Sequence, residues 1–446
     1  MAPVYQRPVA PVDTLFPGQL IQADASALLG WRQYFADTQL QQLIAQAFEN
    51  NRDLRLATAR IEQARALYGI QRADQVPTVT AGASGVRSRT PADLSPTGRV
   101  FTGSQYQATV GVTAWEVDLW GRVRDLKDVA RQEYLATQQA QRAVKILLVS
   151  QVADTYLAAC EIQERLTLTQ QTILTREESA RIARRRYEVG SVSKIDPMQA
   201  QTILGQARTE LAVLERQREQ TRNALVLLVG TPVDASTGTL AASESGLTDG
   251  VVPGLPSEVL VMRPDVLAAE HRLMGATVNI GAARAAFFPR IVLTGDLGFA
   301  SSGLDSLFSQ SSGVWSYGPS ISVPLFDGGR NASNLDLAVA RQTIAVAAYE
   351  QTVQVAFREV ADALAGRQWL TQQVLLQREV LVAQTERSRL AELRYQRGAA
   401  PYLEVLDAQR DLFAAEQSLV QARRQLLSAG VGLYAALGGG DLETLP

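Results

Sequence analysis

Apolar residues follow two rhythms along this chain. In four short stretches they alternate with polar ones. Val79, Ala81, Ala83 and Gly85 oppose Thr78, Thr80 and Ser84, and Ala108, Val110, Val112 and Ala114 oppose Gln107, Thr109 and Thr113. Ile291, Leu293, Leu297 and Phe299 oppose Thr294 and Asp296, and Tyr317, Ile321, Val323 and Leu325 oppose Ser316, Ser320 and Ser322. A period of two places one set on each face of a strand. Elsewhere the period lengthens. Arg122–Val189 holds neither Gly nor Pro, and Arg330–Arg397 holds only Gly366. Both are filled with Ala, Leu, Gln, Arg and Glu, which are good helix formers. Each would make a helix roughly 100 Å long. Val353, Phe357, Val360 and Leu364 repeat at 3.5-residue spacing, matched by Val149, Val152 and Tyr156. That is the spacing of a coiled-coil seam, so each helix is expected to need partners of its own length.

The two rhythms occur in the same order twice. A shift of 212 carries Gly69, Arg72, Ala73 and Pro77 onto Gly281, Arg284, Ala285 and Pro289. A shift of 208 carries Gly121 and Arg122 onto Gly329 and Arg330, then Arg186, Tyr187 and Gly190 onto Arg394, Tyr395 and Gly398. An internal repeat decides the architecture. Repeat 1 spans 51–231, with strands about 77–117, a long helix 122–189 and a return helix 196–229. Repeat 2 spans 263–438, with strands about 289–325, a long helix 330–397 and a return helix 402–437. The flanking segments 1–50, 232–262 and 439–446 are assigned to a collar around the helices or a tail.

Strands of this length, apolar on one face and polar on the other, suit a transmembrane β-barrel with a wet lumen. They also suit a half-buried sheet in water. The long helices favour the barrel. Trp115, Trp120, Trp315 and Phe326 fall near strand ends, where an aromatic belt would lie. Four strands cannot close a barrel, and an open edge in lipid leaves backbone groups unpaired. The chain is therefore expected to share one barrel with copies of itself.

Composition narrows the chemistry. Among 446 residues there is one Cys and one His, Cys160 and His271. A metal site or a Cys–His pair has almost no material, so neither catalysis nor a cofactor is expected. A formal charge of −2 argues against nucleic acid as a partner. No run of 18 apolar residues marks a transmembrane helix. No signal peptide opens the chain, which suggests a form whose export segment has been removed.

The turns that join each long helix to its return helix carry the remaining candidates. Gly190 and Gly398 fit helix ends that need φ > 0, and their bare backbone would also admit a partner's side chains. Leu403 and Asp407 are four apart at the start of the last helix and share a face. Around a symmetry axis they would form an apolar and an acidic ring, which could gate and favour cations. Asp407 is equally a solvated acid that complements the helix dipole. Repeat 1 has Ile195 and Gln199 in those places.

These features together resemble the outer-membrane factor family, the TolC-like export ducts, and within it the OprM-like branch. The resemblance covers nearly the whole chain. It is carried by Asn51-Arg52-Asp53-Leu54-Arg55, Ala114 to Arg122, Arg263-Pro264-Asp265, Gly281 to Pro289, Leu406 to Arg410 and Ala436 to Gly440. It implies a mainly α fold with a transmembrane β-barrel. A trimer would build a 12-stranded β-barrel continuous with a 12-helix coiled-coil α-barrel. It implies the outer-membrane channel of a tripartite multidrug efflux pump, extending into the periplasm, with a periplasmic adaptor and an inner-membrane RND pump as partners. By position, Gly190 and Gly398 fall where adaptor hairpins dock. Leu403 and Asp407 fall at the periplasmic aperture, and Arg394, Tyr395 and Arg410 among the residues that hold it shut. The branch closes its aperture partly through a Tyr–Asp–Arg network, and the position matching that Asp is Ile162. Many members carry an acylated Cys just before a start like Met1-Ala2-Pro3-Val4-Tyr5, so a lipid anchor ahead of this start is expected. A coiled-coil scaffold or adhesin without a pore is the competing reading. It gives no reason for four amphipathic strands placed symmetrically in the repeat.

Overall fold

The computed structural model describes residues 1–16, 30–233, 238–240 and 257–440. The helices are α1 (Trp31–Tyr34), α2 (Thr38–Asn50), α3 (Arg52–Ala73), α4 (Arg122–Glu188), α5 (Ile195–Val229), α6 (Pro264–Ala285), α7 (Arg330–Gln396) and α8 (Tyr402–Ala436). The strands are β1 (Val79–Thr90), β2 (Phe101–Glu116), β3 (Arg290–Ser301) and β4 (Gly313–Ser322). Most of the expected 232–262 linker and the 441–446 tail lie outside the described residues. The chain divides into two compact units. One comprises Met1–Val9, Arg60–Gln138 and Ala268–Glu350; the other comprises Ala10–Ala59, Gln139–Leu267 and Gln351–Pro446. Each draws on both repeats.

The first unit contains one antiparallel sheet in the order β1-β2-β3-β4. Its register puts like with like. Ala81 pairs with Val110, Ala83 with Ala108, Val110 with Leu297, Ala108 with Phe299 and Leu297 with Trp315. One face is thus apolar across all four strands. The other carries Thr80, Ser84, Gln107, Thr109, Asp296 and Ser316. β1 and β4 are the outer strands, each with one unpaired edge in the chain.

Two details depart from simple alternation. The pairing Val112↔Gly295 is followed by Trp115↔Leu293, so β2 holds one extra residue there. This is a β-bulge, and Ala114 adopts φ 58° within it. Trp115, not Ala114, therefore continues the apolar face beside Leu293. An Ala at positive φ is strained. Ala114→Gly is expected to stabilise the protein by up to about 1 kcal/mol, and Ala114→Val to cost about 1–2 kcal/mol. Thermal unfolding of the detergent-solubilised protein reads both signs. The second departure is β4, which ends at Ser322. Val323 and Leu325, expected in the strand, lie beyond it, and the ring-locked Pro324 between them has no N–H to offer a ladder.

Trp120, one of the aromatic residues near the strand ends, is tied within the chain. Its Nε1–H donates to the Pro289 carbonyl at 2.8 Å and its ring packs on Phe288 at 4.9 Å. It thereby ties the end of one hairpin to the start of the other. Glu116 acts beside it, accepting from Arg122 at 2.7 and 2.8 Å and from Arg290 at 2.7 Å. The amino-terminal segment lies on α6. Arg7 holds the buried Glu270 through two bonds of 2.7 and 2.9 Å, and the Tyr5 hydroxyl donates to the same carboxylate. His271 meets Gln132 at 2.9 Å, and burial lowers its pKa.

In the second unit, α1 and α2 pack with α4, α5 and α8 in one core. It contains Trp31, Ile44, Val149, Val152, Tyr156, Cys160, Leu225 and Val431. Asp37 caps α2, accepting from the Gln39 and Leu40 amides, and its other oxygen accepts from Tyr156 at 3.0 Å. Of the expected seam, Val149, Val152, Tyr156, Val353 and Val360 are buried within this one chain, while Phe357 and Leu364 stay partly exposed. Apolar residues left exposed on the helices include Leu147 and Leu174 on α4, Leu227 on α5, and Trp369 and Val382 on α7. α4 is long and apolar enough to cross a membrane by composition. Ile146, Leu148, Val149, Val152 and Leu157 spend that apolarity in the core. Burial pushes the Cys160 thiol up to about 12, which keeps it protonated and inert.

Candidate functional site

Both long helices end in the same backbone motif. The Gly190 amide donates to the Tyr187 carbonyl at 2.9 Å and the Ser191 amide to Arg186 at 2.9 Å. In repeat 2 the Gly398 amide donates to Tyr395 at 2.9 Å and Ala399 to Arg394 at 2.8 Å. With φ at 74° and 73°, the two glycines complete Schellman closures. A Cβ at either would meet nothing within 4 Å. Glycine is needed there for its backbone angle, and the space above both turns is open.

The return helices begin just beyond. Asp196 and Pro197 occupy the first turn of α5, and Glu404 the first turn of α8. A groove of about 510 Å³ lies between these starts. Ile195, Met198, Leu403 and Leu406 line it, with Gln199, Asp407 and Arg410 at its polar margin. The fold thus brings Leu403 and Asp407 together with Ile195 and Gln199, their counterparts in repeat 1. Leu403 is 47% exposed, a large apolar side chain left open at a helix start.

Arg394, Tyr395 and Arg410 sit in a set of ties around this groove. Arg394 bonds Glu404 at 2.5 Å, joining the end of α7 to the start of α8. Tyr395 receives a hydrogen bond from Arg186 on α4, whose guanidinium also lies over the tyrosine ring at 5.1 Å. The same ring packs on Tyr402 at 4.9 Å. Arg410 reaches Asp407 at 3.2 Å and Asp411 at 3.0 Å, and Asp411 is held by Arg387 of α7 at 2.6 Å. The Arg387 hydrogen bond, with Arg410 second, holds the Asp411 carboxyl below its usual range. Its stabilising contribution is therefore present above the unfolded value of about 3.9 and lost as pH falls through the lower folded value.

Arg387, Glu404 and Asp411 did not stand out in the sequence, and Arg186 stood out only as part of the repeated turn motif. The pairs Arg394–Glu404, Arg387–Asp411 and Arg186–Tyr395 join residues ten or more apart, which leaves no local signal. Ile162 is 7% exposed and packs with Leu166 and Leu214. Its neighbours Glu161 and Arg165 make the polar contacts at this level instead. Arg165 bonds Glu161 at 3.1 Å, Glu210 of α5 at 2.8 Å and Gln417 of α8 at 2.6 Å. A further arginine, Arg176 on α4, is buried, donates to the Ile203 carbonyl at 3.0 Å and lies over the Phe413 ring.

A profile of the family "outer membrane efflux protein" matches residues 43–231 and again 255–439, one match per repeat. The chain is 44% identical over 443 residues to outer membrane protein OprJ of Pseudomonas aeruginosa, covering 99% of this chain and 92% of that one. It is 44% identical over 447 residues to the toluene efflux pump outer membrane protein TtgI of Pseudomonas putida, covering 99% and 95%. Among solved structures, a membrane protein from Pseudomonas aeruginosa superposes with a TM-score of 0.93 at 43% identity, over 98% of this chain and 100% of the other. The open state of the Neisseria gonorrhoeae MtrE outer membrane channel gives 0.89 at 36% identity, over 100% of both. The fold is the TolC-like one. With one face of its sheet apolar on all four strands up to the row of Ala83, Ala108 and Phe299, and its relatives matched almost end to end, the chain belongs to the outer membrane efflux protein family and is an outer-membrane channel component of an efflux pump.

Proposed function

We propose that three copies of this chain form a passive duct that receives substrates from an inner-membrane RND pump through a periplasmic adaptor and delivers them across the outer membrane. The observation that carries this reading is the sheet. One face is apolar on all four strands up to the row of Ala83, Ala108 and Phe299, the other is mostly polar, and both edges are unpaired. Such a sheet meets the bilayer's demands once three copies close it into 12 strands. Leu403 and Asp407 form the periplasmic aperture in this reading. Arg394, Tyr395 and Arg410 hold it shut, and the open turns at Gly190 and Gly398 receive the adaptor. Relatives are named for toluene, solvent and antibiotic efflux, which supports small apolar and amphipathic molecules as cargo. A lumen lined by Thr, Ser and Gln contacts such cargo weakly, leaving selection to the pump.

The turns provide the test. Gly190→Trp and Gly398→Trp add a bulky ring where space is open, with a backbone strain of about 1 kcal/mol each. Both variants are expected to assemble as trimers and to conduct normally in planar bilayers. In cells lacking the native channel, substrate accumulation should rise several-fold over the unsubstituted chain. Normal efflux from both variants would remove the adaptor-docking role, and absence of any bilayer conductance in the unsubstituted protein would remove the duct.

A further inference from the structure

The apolar face of the sheet is interrupted at one place. Continuing from Val79, Ala81, Ala83 and Gly85, the next two residues of β1 on that face are Arg87 and Arg89. They pair with Ser104 and Thr102 of β2. Both arginines are exposed, and neither makes an ion pair or side-chain hydrogen bond among the described residues. The repeat does not require them. The shift of 212 puts Phe299 and Ser301 in their places in repeat 2.

Their depth follows from strand geometry. Arg87 is eight residues from Val79, roughly 26 Å along the strand and about 20 Å along the membrane normal after a tilt of about 40°. An apolar band is about 25 Å tall, so Arg87 lies about 5 Å inside its edge, within reach of the headgroups for a long side chain, and Arg89 sits at the rim. Tyr106 marks the same level. It pairs with Gly85, and its ring covers the space a Gly85 side chain would occupy. This rim is the end of the sheet at the β1–β2 hairpin, away from the helices to which both strands connect. The hairpin adds Arg99, against a single acid, Asp93.

We propose that Arg87 and Arg89 form a binding site for the phosphorylated headgroup of an outer-leaflet lipid. The proposal goes beyond the duct reading and rests on the strands spanning the membrane. An arginine facing hydrocarbon is costly at the bilayer centre but not at its rim, where it reaches the headgroups. Two guanidiniums on alternate residues of one strand present forked donors about 7 Å apart, facing lipid rather than lumen. Each fork matches phosphate oxygens. A soluble anion would find no enclosure there, whereas a lipid is held in place by its chains against Ala81, Ala83 and Ala108. Closing the barrel with three copies would repeat the site three times.

The test uses the full-length protein in detergent, titrated with lipid A and followed by native mass spectrometry. The comparator is the same glycolipid with its phosphates removed enzymatically. Arg87→Gln with Arg89→Gln is expected to weaken lipid A binding about thirtyfold, at roughly a factor of five per cation. Arg87→Lys with Arg89→Lys should retain most of it. Unchanged binding in the Gln pair, or equal binding of the dephosphorylated glycolipid, would overturn the proposal. Inorganic phosphate binding alone, lost on the same substitutions, would mean a soluble-anion site and also overturn it. Bilayer conductance of the Gln pair should be unaltered, which separates loss of the lipid site from loss of the channel.

Discussion

Converting both Leu403 and Asp407 to alanine is expected to raise single-channel conductance several-fold and to weaken cation preference. Leu403 stands half exposed at the start of α8, and Asp407 lies one turn further along the same groove. Three copies around an axis would narrow the path with leucines and line it with carboxylates. Asp407 also has a partner in its own chain, Arg410, at 3.2 Å. Removing the carboxylate therefore subtracts a negative charge and uncovers part of a positive one. The single Asp407→Ala variant should thus lose cation preference with little change in conductance, while the double variant changes both. Neither side chain belongs to the buried core, so stability should move by no more than about 0.5 kcal/mol per site. Unchanged conductance and selectivity in the double variant would place the gate elsewhere. In the proposed duct, the ties around the groove would set how readily it opens. An exposed ion pair such as Arg387–Asp411 is worth about 0.5 kcal/mol. If three chains move together, losing it in each biases opening by about 1.5 kcal/mol, roughly tenfold in population.

Arg263→Leu is expected to cost about 2–4 kcal/mol of folding stability. Arg263 is 7% exposed and precedes α6. Its Nη1 donates to the Ala436 carbonyl at 2.6 Å, where α8 ends. Its other nitrogens bond Asp265 at 2.7 and 3.0 Å and Glu359 of α7 at 2.8 Å. Burial works against its charge, and the bonds to Asp265 and Glu359 more than offset that, holding its pKa above the ordinary arginine value. Leucine fills some of the volume but leaves the Ala436 carbonyl without its donor. Arg263→Lys should rescue little, because one ammonium cannot reproduce a fork directed at three acceptors. The thermal midpoint of the detergent-solubilised protein reads the loss. A cost below about 0.5 kcal/mol for the leucine variant would mean that the α6–α7–α8 tie is redundant.

The elements were legible because the repeat prints them twice and because Gly and Pro mark their ends. The long helices expected at 122–189 and 330–397 are found at Arg122–Glu188 and Arg330–Gln396, each ended by its glycine closure. Strand faces were legible up to the bulge. No local pattern announces that Ala114 takes a positive φ, so alternation misassigns it and shifts Trp115. The coiled-coil period identified residues that pack, but a period does not say against which chain. Val353 and Val360 proved internal, and Trp369 and Val382 are left open. Around the groove, Gly190, Gly398, Leu403 and Asp407 were readable from turn chemistry and helix spacing. The arginine ties were not, because an ion pair between distant helices leaves no spacing signal. Arg87 and Arg89 were readable in principle. They continue the alternation of β1 past Gly85, where the apolar run of that face stops.

The unpaired edges of β1 and β4 bear on biogenesis. The two edges differ, so in the proposed trimer copies would join head to tail, β4 of one to β1 of the next, and the third would have to meet the first to leave no edge. Before that closure, each chain is a ready template for strand addition by any other, and an unclosed series can grow without limit. In that case folding would be a competition between ring closure and open-ended strand addition, and overproduction without an acceptor membrane is expected to favour aggregation through these edges.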